Sequence, residues 1–181
     1  MADVAAKLEF LRRAGASEVA HSRRTLLDHL MGTRELLAAW GAPPSWCDAG
    51  LFHSVYGTAP LPRAMLGEAD RDAVRELIGA EAERLAWLFG SIDRHAFVAL
   101  ASADRPACAP GRRDREALAL TAEEVAGLAN LAVANDVEQL PRRGRAHRRR
   151  TAARLSLEQH LLPGAVDSLR RAPPRLARLF G

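Results

Sequence analysis

The stretch Ala49-Gly50-Leu51-Phe52-His53-Ser54-Val55-Tyr56-Gly57-Thr58 decides how the rest of the chain is read. An apolar run ends in an imidazole, a hydroxyl and a phenol, then in a glycine. The run predicts a helix from Ser45 to about Tyr56, with Ser45 as cap, Asp48 as a weak capping partner and Gly57 as the stop. His53 and Ser54 then fall at its C-terminal end, where carbonyls lack helical partners and positive charge is favoured.

Upstream, Thr25 to Trp40 is the clearest amphipathic helix. Leu26, Leu30, Leu37 and Trp40 share one stripe, and Gly41 and Pro43-Pro44 follow as stop signals. His29 belongs to the apolar side. Downstream, Thr121-Ala122-Glu123-Glu124 is a capping box that opens a helix running to Leu140, before Pro141. Val125, Leu128, Leu131 and Ala132 define its inner side. Asn135 and Glu138 continue that side at helical spacing. Three helices are therefore expected to turn polar groups inward: His29, then His53 with Ser54, then Asn135 with Glu138.

The remaining chain is also helical in pattern. Asp3–Ala14, Asp70–Ile78, Ala80–Ser91 and Ser156–Leu162 read as helices, and residues 103–115 as an exposed loop. No window sustains period-two alternation with β-branched residues, so the class expected is all-α. A helical domain over residues 1–140 is expected, followed by a basic segment and helical tail over 141–181. The basic run Arg142–Arg150 is read first as a solvated surface stretch and second as an anion-binding patch.

Composition narrows the function classes. The 181 residues are 48% hydrophobic but only 5% aromatic, so Leu, Ala and Val fill the core. The formal charge is +4, and Lys7 is the only lysine among 26 basic residues. The arginine bias raises the isoelectric point without a large net charge. No aromatic interleaves the basic run to stack bases, so nucleic acid is not the expected partner. Two cysteines, Cys47 and Cys108, and the absence of a long apolar leader or spanning run point to a cytoplasmic protein with no membrane partner. Oligomeric state is left open.

The order of motifs resembles the HD-domain superfamily of helical metal-dependent phosphohydrolases. His29-Leu30-Met31-Gly32-Thr33, Ala49–Thr58, Gly79–Leu85 and Val133–Glu138 resemble successive motifs of guanosine tetraphosphate hydrolase domains. The segments LLDHLMGT, AGLFHSVYGT and ANDVEQ are similar, more narrowly, to an HD-like family of unknown function with His-Ser-x-Tyr in place of His-Asp. The resemblance implies a helical fold and a pocket holding a divalent ion such as Mn, Fe or Zn. Ser54 stands where the superfamily has the aspartate of His-Asp, Gly57-Thr58 where it has Glu-Asp, and Asn135 where it has the late aspartate. A conventional guanosine tetraphosphate hydrolase is therefore not expected.

His29 and His53, with Asn135 or Glu138, form the expected metal set; Asp136 is a second carboxylate candidate. Tyr56 or Glu138 would serve as acid or base. His21, Ser54, Thr58 and Arg94 complete the candidate pocket. Each also has a structural alternative: buried histidines satisfied by hydrogen bonds, Ser54 bonded to its own helix, Tyr56 a half-buried aromatic, Asn135 and Glu138 cross-linking helices. Three function classes follow. One is an HD-like small-molecule enzyme, metal-dependent, acting on a phosphate- or carboxylate-bearing substrate. A second is a metal-independent isomerase, cyclase or lyase in the same pocket. The third is a binding or regulatory module with a decayed site.

Overall fold

The computed structural model describes residues 3–21, 24–58, 64–103, 108–111 and 116–172. Its elements run α1 (Val4–Arg13), β1 (Ala20–His21), β2 (Arg24–Thr25), α2 (Leu26–Ala39), α3 (Pro44–Phe52), α4 (Arg71–Ile78), α5 (Ala80–Ser91), α6 (Arg94–Ser102), β3 (Cys108–Ala109), β4 (Leu118–Ala119), α7 (Ala122–Gln139), α8 (Arg145–Ala152) and α9 (Pro163–Arg171). Short 3-10 segments lie at Glu68–Asp70, Leu140–Arg142 and Ala153–His160. The chain is an all-α domain. Among the described residues its strands are two antiparallel ladders of two residues each, β1 with β2 and β3 with β4. They act as clasps at helix entrances.

Two of the three helices that carry inward polar groups, α2 and α7, start on reciprocal caps. The Thr25 hydroxyl accepts from the Asp28 amide at 3.1 Å, and the Asp28 carboxylate accepts from the Thr25 amide at 3.1 Å. Thr121 and Glu124 repeat the arrangement at the start of α7, at 3.1 and 2.9 Å. Each cap satisfies two backbone N–H groups that the first turn leaves unpaired. Helix α2 packs on α3 and α7, and α3 packs on α5. Leu30, Leu37, Leu51, Phe52, Leu88, Phe89, Leu128 and Leu131 are buried between them. Each such side chain contributes about 1.5–3 kcal/mol.

Two glycines set the closest approaches. A Cβ on Gly50 would lie 2.6 Å from Leu37 Cδ1, so glycine lets α3 settle against α2. A Cβ on Gly90 would lie 2.7 Å from the Gly57 carbonyl, which brings α5 against the turn after His53. Gly57 itself holds φ at +76°, the left-handed region that glycine adopts without strain.

The structure corrects several local expectations. Ser45 does not cap α3: its hydroxyl donates to Glu81 Oε1 at 2.8 Å, and Pro43 and Pro44 start the helix. Helix α3 ends at Phe52, so residues 53–56 form turns and not a last helical turn. The stretch after Asp93 is helix α6, capped by the Asp93 carboxylate on the amides of His95 and Ala96 at 2.8 and 3.1 Å. The basic run enters helix α8, and the tail contains α9. Helix α9 is the helical tail that the sequence led us to expect, whereas α8, rich in arginine, has no apolar stripe to announce it. Residues 104–107, 112–115 and Pro173-Pro174 lie outside the described residues.

The segment after Pro141 packs on the helices that precede it. Val133 buries against Ala165 and Leu169. Trp40 Nε1 donates to Ser168 Oγ at 3.1 Å. Asn130 donates to the His160 carbonyl and accepts from the Leu162 amide, both at 2.9 Å. No helix among the described residues is long and apolar enough to cross a membrane.

Helix α1 is fastened by Lys7, whose ammonium lies 2.6 Å from Asp48 Oδ2 with both side chains only 5% exposed. Removing one partner strands a buried charge, whereas removing both does not. Lys7→Met or Asp48→Leu alone should cost about 3–5 kcal/mol in urea unfolding. The double variant should recover most of that loss. Single variants within 1 kcal/mol of wild type, read with the usual precision of about 0.5 kcal/mol, would contradict a buried ion pair here.

Candidate functional site

Helix α2 presents His29, the C-terminal end of α3 presents His53, and α7 presents Asn135 and Glu138. Both imidazoles are 1% exposed. His29 Nε2 lies 3.2 Å from His53 Nε2 and 3.2 Å from Asn135 Oδ1. The two rings meet edge to face, with centroids 5.1 Å apart at 82°. Phe89 closes the far side of His53, its centroid 5.1 Å away at 86°.

The surrounding acceptors decide where the imidazole protons sit. His53 Nδ1 is 2.8 Å from the Gly50 carbonyl, which only accepts, so Nδ1 carries the hydrogen. His29 Nδ1 faces Glu138 Oε2 in a short contact and donates to that carboxylate. Burial, first, depresses both imidazole pKa values: His53 to about 4, and His29 to about 2 with help from the nearby His53 and His21. Both rings are therefore neutral at pH 7, and both Nε2 atoms bear lone pairs. Asn135 Nδ2 donates to Asp136 Oδ1 at 3.1 Å, which fixes the amide with Oδ1 toward His29. Three acceptors thus converge with no hydrogen among them.

This donor set suits a divalent cation. Outer hydrogen bonds from Nδ1 to a carboxylate or a carbonyl are the usual support of metal-binding imidazoles. Separations of 3.2 Å match the ~2.9–3.4 Å expected between adjacent ligands lying ~2.1 Å from one ion. The set is two imidazoles and a neutral amide. Among the described residues, no group of three or more His, Cys, Asp or Glu side chains could hold a metal.

Glu138 stands behind His29 and is not in the Nε2 cluster, contrary to the expectation that it completes a metal shell. Its Oε1 pairs with Arg24 from β2 and with Arg142 from the 3-10 segment after α7. Gly32 makes room: a Cβ there would lie 3.0 Å from both Arg24 Nη2 and Glu138 Cγ. His21 stacks on the His29 ring, with centroids 4.4 Å apart at 27°. Burial, then Arg143, Arg24 and Arg142, lower the His21 pKa. Sequence patterning gave no sign of Arg24, and it marked Arg142 only as the first residue of the basic run. The mid-helix Gly32 was the available signal for a close approach.

Other candidates point elsewhere. Tyr56 donates its hydroxyl to Glu83 Oε1 at 3.2 Å, and Arg71 holds the same oxygen at 2.7 Å. The shortened α3 turns the phenol toward α5, and burial followed by Glu83 raises its pKa, which removes it as an acid for the histidine pocket. Asp136 pairs with Arg154 at 3.1 Å, so it is no ligand candidate. Arg94 lies over Phe89 at 4.5 Å and donates to the Phe89 carbonyl at 3.3 Å. It backs the ring that backs His53. Ser54 and Thr58 are buried beside the turn. A groove of about 400 Å³ lined by Trp46, Arg84, Leu85 and Glu124 lies away from the histidines. Arg84 donates to Glu124 Oε1 across its wall at 2.9 Å.

The neutral state of His53 has a measurable consequence. The unfolded chain takes up a proton below the ordinary pKa of 6.5, while folded His53 resists protonation down to about 4. Stability is complete above pH 6.5 and falls as pH drops toward 4, by about 3 kcal/mol at the limit. Urea midpoints measured across this range should fall in the wild type and fall less in His53→Gln. Equal slopes in the two proteins would count against a buried neutral His53.

Residues 10–94 match a family model described as a domain of unknown function (DUF6817). The match takes in His21, His29 and His53 but neither Asn135 nor Glu138. No curated protein and no solved structure matches the chain.

Proposed function

We propose that this chain is an HD-like enzyme of small-molecule metabolism, holding one divalent ion on His29 Nε2, His53 Nε2 and Asn135 Oδ1. The observation that carries this reading is the convergence of three lone-pair acceptors at 3.2 Å, each fixed in orientation by a hydrogen bond that its residue donates to an acceptor behind it. Mn, Fe and Zn all accept such nitrogen and oxygen donors. A bound ion would supply Lewis-acid polarisation of a substrate oxygen. The substrate carries a phosphate or carboxylate, consistent with arginines gathered behind the site. Two neutral imidazoles and an amide offer no charge compensation, so affinity is lower than in carboxylate-rich cages.

The chain's own residues do the rest. Glu138 holds the His29 ring and raises the basicity of Nε2 by accepting the Nδ1 proton. Gly50 does the same for His53 through its carbonyl. Phe89 and His21 enclose the pair and keep bulk water away. The free thiols of Cys47 and Cys108 agree with placement in the cytoplasm.

The His29–Glu138 pair favours one second reading, metal-independent acid–base chemistry with His29 as the proton carrier. The two readings separate on chelation. Activity or ligand binding that survives chelator favours the acid–base enzyme, and dependence on added metal rejects it.

Calorimetric titration of chelator-stripped protein with Zn or Mn should give one saturable site. His29→Gln and His53→Gln should abolish it, and Asn135→Ala should weaken it. Glu138→Gln should lower affinity by about 10–100-fold, the usual effect of losing an outer hydrogen bond partner. No binding of Mn, Fe or Zn to the wild type would remove the metal reading and leave the acid–base one.

A further inference from the structure

The Glu138 carboxylate is faced by more positive charge than it can balance. Arg24 and Arg142 both reach Oε1, one from β2 before α2 and the other from the 3-10 segment after α7. Arg143 lies close enough to depress His21 electrostatically. The acidic groups nearest Arg24 besides Glu138 are Asp28 and Glu35, both exposed, and Asp28 is committed to its Thr25 cap. Three donors or acceptors in this group also lack partners: His21 Nε2, Arg24 Nε and Arg142 Nε. Buried polar atoms are normally paired, and several unpaired ones on one patch indicate a missing partner. The outer parts of both arginines stay open, with side chains 27% and 22% exposed. Gly32 contributes the absence of a side chain under the same patch.

We propose that Arg24, Arg142 and His21 form an oxyanion subsite that receives a phosphoryl group of the substrate beside the histidine pair. Two guanidinium groups meet at one carboxylate oxygen, and the His21 imidazole stacks on the adjoining His29 ring with its Nε2 unpartnered. That geometry suits the several oxygens of a tetrahedral oxyanion better than a planar carboxylate, which one guanidinium fork satisfies. Bound phosphate would share the arginines with Glu138 and cancel the excess charge. The proposal rests on the reading of the histidine cluster as the reaction centre, and it adds the substrate class.

The test uses the full chain, stripped of metal, with inorganic phosphate as the probe. Phosphate should bind saturably by calorimetry and should exceed acetate in affinity at least tenfold. Arg24→Gln and Arg142→Gln should each weaken phosphate at least tenfold, while Arg149→Gln on exposed α8 leaves it unchanged. Arginine modification by phenylglyoxal, mapped by mass spectrometry on the wild type, needs no variant. Phosphate should protect Arg24 and Arg142 and leave Arg149 reactive. Absence of saturable binding, equal affinity for acetate, or modification of Arg24 and Arg142 unaffected by phosphate would overturn the proposal. His53→Gln separates it from the metal reading. That variant should lose the metal site yet keep phosphate protection.

Discussion

The hydrogen bond from His29 Nδ1 to Glu138 is the contact on which the site depends. It joins α2 to α7 and fixes the tautomer of one imidazole. Through Oε1 it also draws in Arg24 before α2 and Arg142 after α7. A carboxylate this buried is stable only when its charge is matched, and here the match is built from chain segments more than a hundred residues apart. The arrangement makes His29 an acceptor at Nε2, and every chemical reading of the pocket follows from that.

The basic run has a structural task that charge counting alone does not reveal. Arg142 donates to the Glu138 carbonyl at 2.5 Å, and Arg148 donates to the Leu140 carbonyl at 3.2 Å. Arg143 bonds Gln139 Oε1 at 3.0 Å, and Arg154 pairs with Asp136 at 3.1 Å. These cations gather at the C-terminal end of α7, where unpaired carbonyls and the helix dipole favour them. They hold the turn that carries Glu138. Arg145, Arg149 and Arg150 remain exposed on α8.

Much of the site was legible because the helical period is a strong constraint. Leu128, Leu131, Asn135 and Glu138 had to share a face of α7, and His29 had to face inward with Leu26 and Leu30. Capping chemistry placed the start of α7 to the residue, and the apolar stripe placed that of α2. What stayed hidden depended on helix ends or on long-range pairing. Tyr56 was misdirected because α3 stops at Phe52, one turn before the pattern suggested. Glu138 cross-links α2 and α7 as the structural alternative allowed, but its pairing with Arg24 and Arg142 is tertiary, and no local pattern encodes which arginine of so many meets a given carboxylate. Helices α6 and α8 were missed: α8 reads as charge with no apolar stripe, and α6, after His95, is an unbroken run of small and apolar residues without a polar face to set its period.

The central claim is that both imidazoles turn unprotonated Nε2 atoms toward one point. Long-range proton–nitrogen NMR of the histidine side chains in chelator-treated protein at pH 7 tests it directly. The account predicts protonated Nδ1 and bare Nε2 for both His29 and His53, with Nε2 of each shifting together when Zn is added. A proton on Nε2 of either ring, or a charged imidazolium at His29, would contradict it.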